Sequence, residues 1–181
     1  MRLFIAIQFN NRILTSLKKL QSDLRTAGLR GRYAKEENLH LTLAFIGEYD
    51  DPDKVLEAMA EVTFEPFAIE LSGMGRFGDL YWAGLEENPD LIDYVKRLRK
   101  SLSAHNIPYD KTKFSPHITL VRRGSFAAPK TSGKQNSPAA KVACPHTKTS
   151  VNAVSLVKSE FTKDGMKYTT LAEICGIISR G

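Results

Sequence analysis

The sequence has little cysteine and no long apolar run, and these two features argue against several classes of protein. Its 181 residues include only two cysteines, Cys144 and Cys175, which lie far apart and form no C-x-x-C pair. A disulfide scaffold and a zinc ribbon are therefore not indicated. The longest N-terminal apolar run covers residues 3–7. It is too short for a transmembrane helix of ~20 residues or a signal-peptide core of ~7–15 residues. We expect a cytoplasmic protein that does not enter a membrane.

Positively charged residues are only in mild excess over negatively charged ones. The chain carries 26 Lys and Arg against 20 Asp and Glu, for a net charge of +6. This excess is compatible with a phosphate-bearing partner, but a solvated basic surface explains it equally well. The apolar content of 42% is ordinary for a globular protein and excludes disorder as the main state. At this length we expect one domain over residues 1–181.

Short apolar or alternating segments, which predict strands, are interleaved with segments of helical spacing. The predicted strands cover residues 2–9, 39–46, 67–71, 80–85, 114–121, 153–160 and 166–174. Helices are predicted to begin next to Asn10 or Asn11, Asp51 and Asn88, whose side chains are good N-caps. The segment Lys163-Asp164-Gly165 is a hairpin signal, and hairpins argue against a purely parallel sheet. We therefore predict an α+β fold with antiparallel sheets.

Two further stretches are predicted to be loop or turn. Residues 124–150 are rich in Lys, Ser, Thr, Pro and Ala with little periodicity. This composition predicts a long mobile surface loop with at most one short element. Residues 73–78 spell G-x-G-x-x-G, but a strand pattern follows them where a dinucleotide site requires a helix. We interpret this segment as a glycine-rich turn.

One short pattern occurs twice. Residues 39–43 (LHLTL) are echoed by residues 116–120 (PHITL), and each copy lies on a predicted strand. Because side chains alternate along a strand, His40 and Thr42 share one face, while the aliphatic neighbours take the other. The same holds for His117 and Thr119. If the two halves are related by a pseudo-twofold axis, both His–Thr pairs can converge on one cleft.

This pairing favours a catalytic site over two structural histidines. A single His beside a Thr is more often structural, but here two copies account for half of the four histidines. Two facing imidazoles supply a general acid and a general base, since a pKa of ~6.5 makes both protonation states accessible near neutral pH. Two hydroxyls can donate hydrogen bonds to an anion. Phosphodiester cleavage requires this set of groups.

The motifs together resemble the two-histidine (2H) phosphoesterases, in particular the RNA 2′,3′-cyclic phosphodiesterase family, also known as the RNA 2′-5′ ligase family. The resemblance extends over nearly the whole chain. It lies in the opening strand, two motif blocks and the C-terminal hairpin, at residues 2–7, 37–48, 114–122 and 159–168. It implies a bilobal α+β fold, with two antiparallel sheets flanked by helices, pseudo-twofold symmetry and a central cleft. Residues 124–150 depart from the family pattern.

The resemblance also implies roles for individual residues. His40 would be the proton donor to the leaving 3′ oxygen, and His117 the proton acceptor that activates water. Thr42 and Thr119 would hold phosphate oxygens. The family often uses an arginine at the position of Arg122 near the phosphate. Strict alternation places Arg122 on the face opposite His117, so it reaches the cleft only if the strand twists or bulges there.

The implied partner is an RNA end, or a nucleotide, with a 2′,3′-cyclic phosphate that is opened to a 2′-phosphate. The resemblance implies no metal and no cofactor, and we expect a monomer. Reverse use of the site in 2′-5′ ligation stays open. A second hypothesis is a 2H enzyme for a small nucleotide, such as an ADP-ribose cyclic phosphate or a 2′-5′ oligoadenylate. A third is a catalytically silent RNA-binding module, which has no need for a paired acid and base.

Overall fold

A computed structural model describes residues 1–126, 142–163 and 165–178. These residues form three helices, nine strands and one turn of 3₁₀ helix at Glu36–Asn38. The helices are α1 (Asn11–Thr26), α2 (Pro52–Ala60) and α3 (Pro89–Ala104). The strands are β1 (Arg2–Gln8), β2 (Leu29–Tyr33), β3 (His40–Glu48), β4 (Phe67–Phe77), β5 (Leu80–Leu85), β6 (His117–Phe126), β7 (Lys148–Val151), β8 (Ala153–Thr162) and β9 (Gly165–Cys175).

The strands form two sheets, each belonging to one lobe. Sheet 1 has the order β3-β1-β8-β9, and sheet 2 has the order β2-β6-β5-β4-β7. Every strand pairing among the described residues is antiparallel. The prediction of an α+β fold with two antiparallel sheets is therefore confirmed.

The helices cover the apolar faces of the sheets and share one continuous core. Helix α1 packs on β2, β6 and β7, while α3 contacts β3 of sheet 1 and β4 of sheet 2. The predicted caps are confirmed: the side chains of Asn10, Asp51 and Asn88 accept hydrogen bonds from the backbone N–H three residues later. Among the described residues, no helix combines the length and apolar character needed to cross a membrane.

Three segments differ from the sequence prediction. Strand β2 was not predicted, because residues 29–33 bury only Leu29 and show no alternation. The glycine-rich residues 73–77 continue β4, so the turn before β5 is shorter than expected. The predicted loop at residues 124–150 is strand at both ends, in β6 and β7, while residues 127–141 lie outside the described residues. Asp164 of the predicted hairpin also lies outside them.

A β-bulge lies at the last residue of each copy of the repeated pattern. Opposite β1, the pairing passes from Thr42 to Ala44 and leaves Leu43 as the extra residue. Opposite β5, it passes from Thr119 to Val121 and leaves Leu120 as the extra residue. In each strand, two consecutive residues are consequently buried, and the next side chain returns to the face of the histidine.

Each bulge carbonyl accepts a hydrogen bond from the side chain of a helix. The Gln21 amide of α1 donates to the Leu120 carbonyl at 3.0 Å and to the Ala34 carbonyl at 2.9 Å. The Arg99 guanidinium of α3 donates to the Leu43 carbonyl at 3.3 Å. Gln21 is buried, so its bonds are made away from water. The two helices thus brace equivalent points of the two lobes.

We predict that Gln21→Met destabilises the fold by about 1–3 kcal/mol, because it keeps the volume but leaves buried carbonyls with fewer donors. Urea denaturation measures the free energy of unfolding. Ser22→Met, on the exposed neighbour in α1, is the control and should change it by less than about 0.5 kcal/mol. An unchanged free energy of unfolding for Gln21→Met would contradict the bracing role.

Candidate active site

Strand β3 of sheet 1 contacts strand β6 of sheet 2, so the two strands that carry the repeated patterns meet between the lobes. A cavity of about 290 Å³ is lined by His40 from sheet 1 and by Thr119 and Arg122 from sheet 2. His117 also lies close enough for its charge to act on His40. His40 of the first pattern and Thr119 of the second therefore meet at one cavity, whereas Thr42 and His117 are not among the residues that line it.

Both histidines are held by the same backbone brace. The Nδ1 atom of His40 lies 2.8 Å from the carbonyl oxygen of Asn38. The Nδ1 atom of His117 lies 2.7 Å from the carbonyl oxygen of Ser115. A carbonyl only accepts, so Nδ1 of each ring carries the hydrogen. Each Nε2 is thereby left as the atom that can take up or release a proton.

The hydroxyl of Thr42 lies next to the Nε2 edge of the first imidazole. Its Oγ1 atom is 3.1 Å from Nε2 of His40, within hydrogen-bond distance. Thr119 occupies the equivalent position in the second pattern and lines the shared cavity. Both hydroxyls are thus on the face of their histidines, as strand alternation predicts.

Arg122 reaches the cavity because of the bulge at Leu120. With one extra residue in β6, Arg122 no longer follows the alternation that would place it opposite His117 and Thr119. It lines the same cavity as His40 and lies near enough to lower the pKa of that imidazole. The strand distortion that Arg122 needs in order to reach the cleft is therefore present.

The surroundings of His40 favour its neutral form. Burial lowers the pKa of His40 most strongly, and the bond to the Asn38 carbonyl partly opposes this. The positive charges of Arg122 and His117 lower the pKa further. Three cationic side chains line the same cavity: Arg32, Lys35 and Arg122. Among the described residues, no carboxylate lines it. An anion that enters this cavity would stabilise the imidazolium.

Aromatic rings flank each histidine. His40 packs against Phe4 and stands edge-on to Tyr168, with ring centroids 4.8 and 5.2 Å away. His117 stands edge-on to Phe77 at 5.2 Å, with Trp82 at 6.2 Å. These contacts restrict the rotation of each ring.

The glycine-rich segment has a packing role beside His117. A Cβ atom on Gly75 would overlap the indole of Trp82, so only glycine allows that ring to lie on β4. Strand β5 pairs Trp82 with Thr119 of the second pattern. The G-x-G-x-x-G segment therefore supports the wall of the cleft, and no helix follows it as a dinucleotide site would require.

A family model identifies the relationship of this chain to known proteins. The model of the 2′-5′ RNA ligase superfamily matches residues 12–160. The chain belongs to this superfamily. Two curated relatives are each 33% identical to it. The relative from Thermotoga maritima aligns over 67% of this chain and 70% of its own length. The relative from Archaeoglobus fulgidus aligns over 67% of this chain and 72% of its own length. Both are named RNA 2′,3′-cyclic phosphodiesterase.

Solved structures confirm the bilobal fold of the superfamily. Apo LigT of Escherichia coli superimposes with a TM-score of 0.76 at 25% identity, covering 96% of each chain. A protein from Thermus thermophilus superimposes with a TM-score of 0.77 at 26% identity, covering 97% of each chain. The predicted family and fold class are therefore confirmed.

Several residues that shape this superfamily site have no signal in the sequence. The braces of the two histidines come from backbone carbonyls, which any residue provides. Phe4 and Tyr168 contact His40 only because β1 and β9 lie in the same sheet. Arg32 lies on β2, the strand that residue patterning missed. The spacing of the motifs predicts the paired histidines and threonines but not their supports.

We predict that the pKa of His40 lies below its ordinary value of ~6.5 in the free protein and rises when inorganic phosphate binds. Stability linked to His40 is therefore intact above pH ~6.5 and is lost as the pH falls below this value, because the unfolded chain then binds more protons. An NMR titration of the imidazole signals, assigned with His40→Gln, measures both values. A pKa at or above 6.5 that phosphate does not raise would contradict this electrostatic account.

Proposed function

We propose that this protein hydrolyses a terminal 2′,3′-cyclic phosphate of RNA to a 2′-phosphate, with His40 and His117 as the acid–base pair. The observation that carries the proposal is the matched pair of imidazoles. Two lobes present them with the same Nδ1 brace, and the cavity beside them contains Thr119 and Arg122. The names of the relatives support the same activity.

His117 is the proton acceptor in this mechanism. Its Nε2 takes a proton from water as the water oxygen forms a bond to phosphorus. The bond between phosphorus and the 3′ oxygen breaks, and Nε2 of His40 donates its proton to that oxygen. The product carries a 2′-phosphate and a free 3′-hydroxyl. Loss of the proton from His117 and uptake of one by His40 restore the starting state.

The lowered pKa of His40 suits the role of proton donor. An imidazolium with a low pKa is a stronger acid, and the bound phosphate supplies the negative charge that keeps it protonated until transfer. Thr42, Thr119 and Arg122 hold the non-bridging phosphate oxygens in this proposal. Hydrogen bonds aimed at those oxygens are strongest where negative charge accumulates in the transition state.

The site also indicates which oligomeric state is needed for activity. Because one chain supplies both histidines, a monomer suffices, and residues 1–181 act as one two-lobed unit. We place this activity in the cytoplasm, where the sequence features predict the protein to be. No metal or cofactor takes part in the proposed steps, so excess EDTA should leave turnover unchanged.

Histidine substitutions test the acid–base assignment. We expect His40→Ala and His117→Ala each to lower kcat by at least ~10², measured with an RNA oligonucleotide ending in a 2′,3′-cyclic phosphate. The double variant should be only slightly worse than either single one, because the two groups act as a unit. Thr42→Val and Thr119→Val should each cost roughly 1–3 kcal/mol in transition-state stabilisation.

The control is His146→Ala, which removes an exposed histidine outside the cavity and should retain full activity. Thermal melting of the same variants separates catalysis from folding. The proposal is wrong if His40→Ala and His117→Ala melt many degrees lower and lose activity only in proportion to the folded fraction.

A further inference from the structure

Arg32 lies directly opposite Arg122 in the pairing of β2 with β6. Like charges at directly opposite positions of an antiparallel pair destabilise the sheet. Among the described residues, no carboxylate forms an ion pair with either guanidinium. A bound anion would relieve this repulsion.

The backbone holds the two strands close together at this pair. A Cβ atom on Gly31 would lie 2.7 Å from Cγ1 of Val121 and 3.0 Å from the carbonyl oxygen of Arg122. Glycine at residue 31 therefore permits the close approach of β2 to β6. The register shift between Arg30 and Arg32 places only the second of these two arginines opposite Arg122.

Both guanidiniums line the cavity that contains His40 and Thr119. Across the cavity lie side chains of the β8–β9 hairpin, which are apolar or aromatic: Phe161, Met166 and Tyr168. Phe161 is 84% exposed, which is unusual for a large aromatic side chain. A ligand that suits this cavity has negative charge on one side and a flat apolar group on the other, as a nucleotide does.

The two arginines lie on different strands and can each contact a phosphate of their own. In the proposed function, Arg122 holds the reacting cyclic phosphate together with the residues of β6. Arg32 is on the edge strand β2, one strand farther from the centre of sheet 2. We propose that Arg32 binds the phosphodiester immediately 5′ of the terminal nucleotide. The enzyme therefore selects RNA chain ends over mononucleoside cyclic phosphates, an inference that rests on the proposed function.

Three substrates test this specificity: uridine 2′,3′-cyclic phosphate, the dinucleotide UpU with a 2′,3′-cyclic phosphate end, and the same dinucleotide with an uncharged methylphosphonate linkage. For the wild type, we expect kcat/KM for the charged dinucleotide to exceed that for each of the others roughly tenfold. Arg32→Gln should remove this preference and leave turnover of uridine 2′,3′-cyclic phosphate within about twofold of the wild-type value.

The matched control is Arg30→Gln, which removes another exposed charge of β2 that lies opposite Ser125 and outside the cavity. It should retain the tenfold preference. Equal turnover of the two dinucleotides by the wild type would overturn the inference while leaving the proposed function intact. An equal loss on all three substrates for Arg32→Gln would also overturn it. Turnover of none of the three by the wild type would overturn both.

Discussion

The extra residue after each His-x-Thr segment is the constraint on which the cleft depends. Leu43 in β3 and Leu120 in β6 interrupt strand alternation, and their carbonyls accept hydrogen bonds from Arg99 and Gln21 of the covering helices. Without the second bulge, Arg122 would point into the core side of sheet 2. The two lobes therefore share the motif, the bulge that comes after His-x-Thr, and a helix side chain that donates a hydrogen bond to the bulge carbonyl.

The same repeat places different chemistry at equivalent points of the two lobes. The residue that returns to the histidine face is Arg122 in β6, but in β3 it is Phe45, which packs on the apolar cluster that includes Phe4. One lobe thus supplies positive charge and the other an apolar wall that buries His40. In the proposed mechanism, these unequal surroundings give two chemically identical groups separate acid and base roles. Pseudo-symmetry builds the cleft, and the departure from it distinguishes the histidines.

Much of this arrangement follows from residue patterning, and the remainder depends on strand pairing. Period-two alternation correctly placed His40 with Thr42, and turn chemistry correctly placed the helix caps. Alternation failed for Arg122 because a bulge is a property of two paired strands, which one strand's sequence does not encode. It also missed β2, since residues 29–33 bury too little surface to show a pattern. That strand nevertheless delivers Arg32 to the cavity.

The position of the phosphate in the product tests the central claim most directly. The claim is that His40 protonates the 3′ oxygen while His117 activates water from the opposite lobe. An RNA oligonucleotide ending in a 2′,3′-cyclic phosphate is incubated with the protein, and the product is identified by ³¹P NMR. The account predicts a 2′-phosphate with a free 3′-hydroxyl. A 3′-phosphate, or an unopened cyclic phosphate, would contradict it.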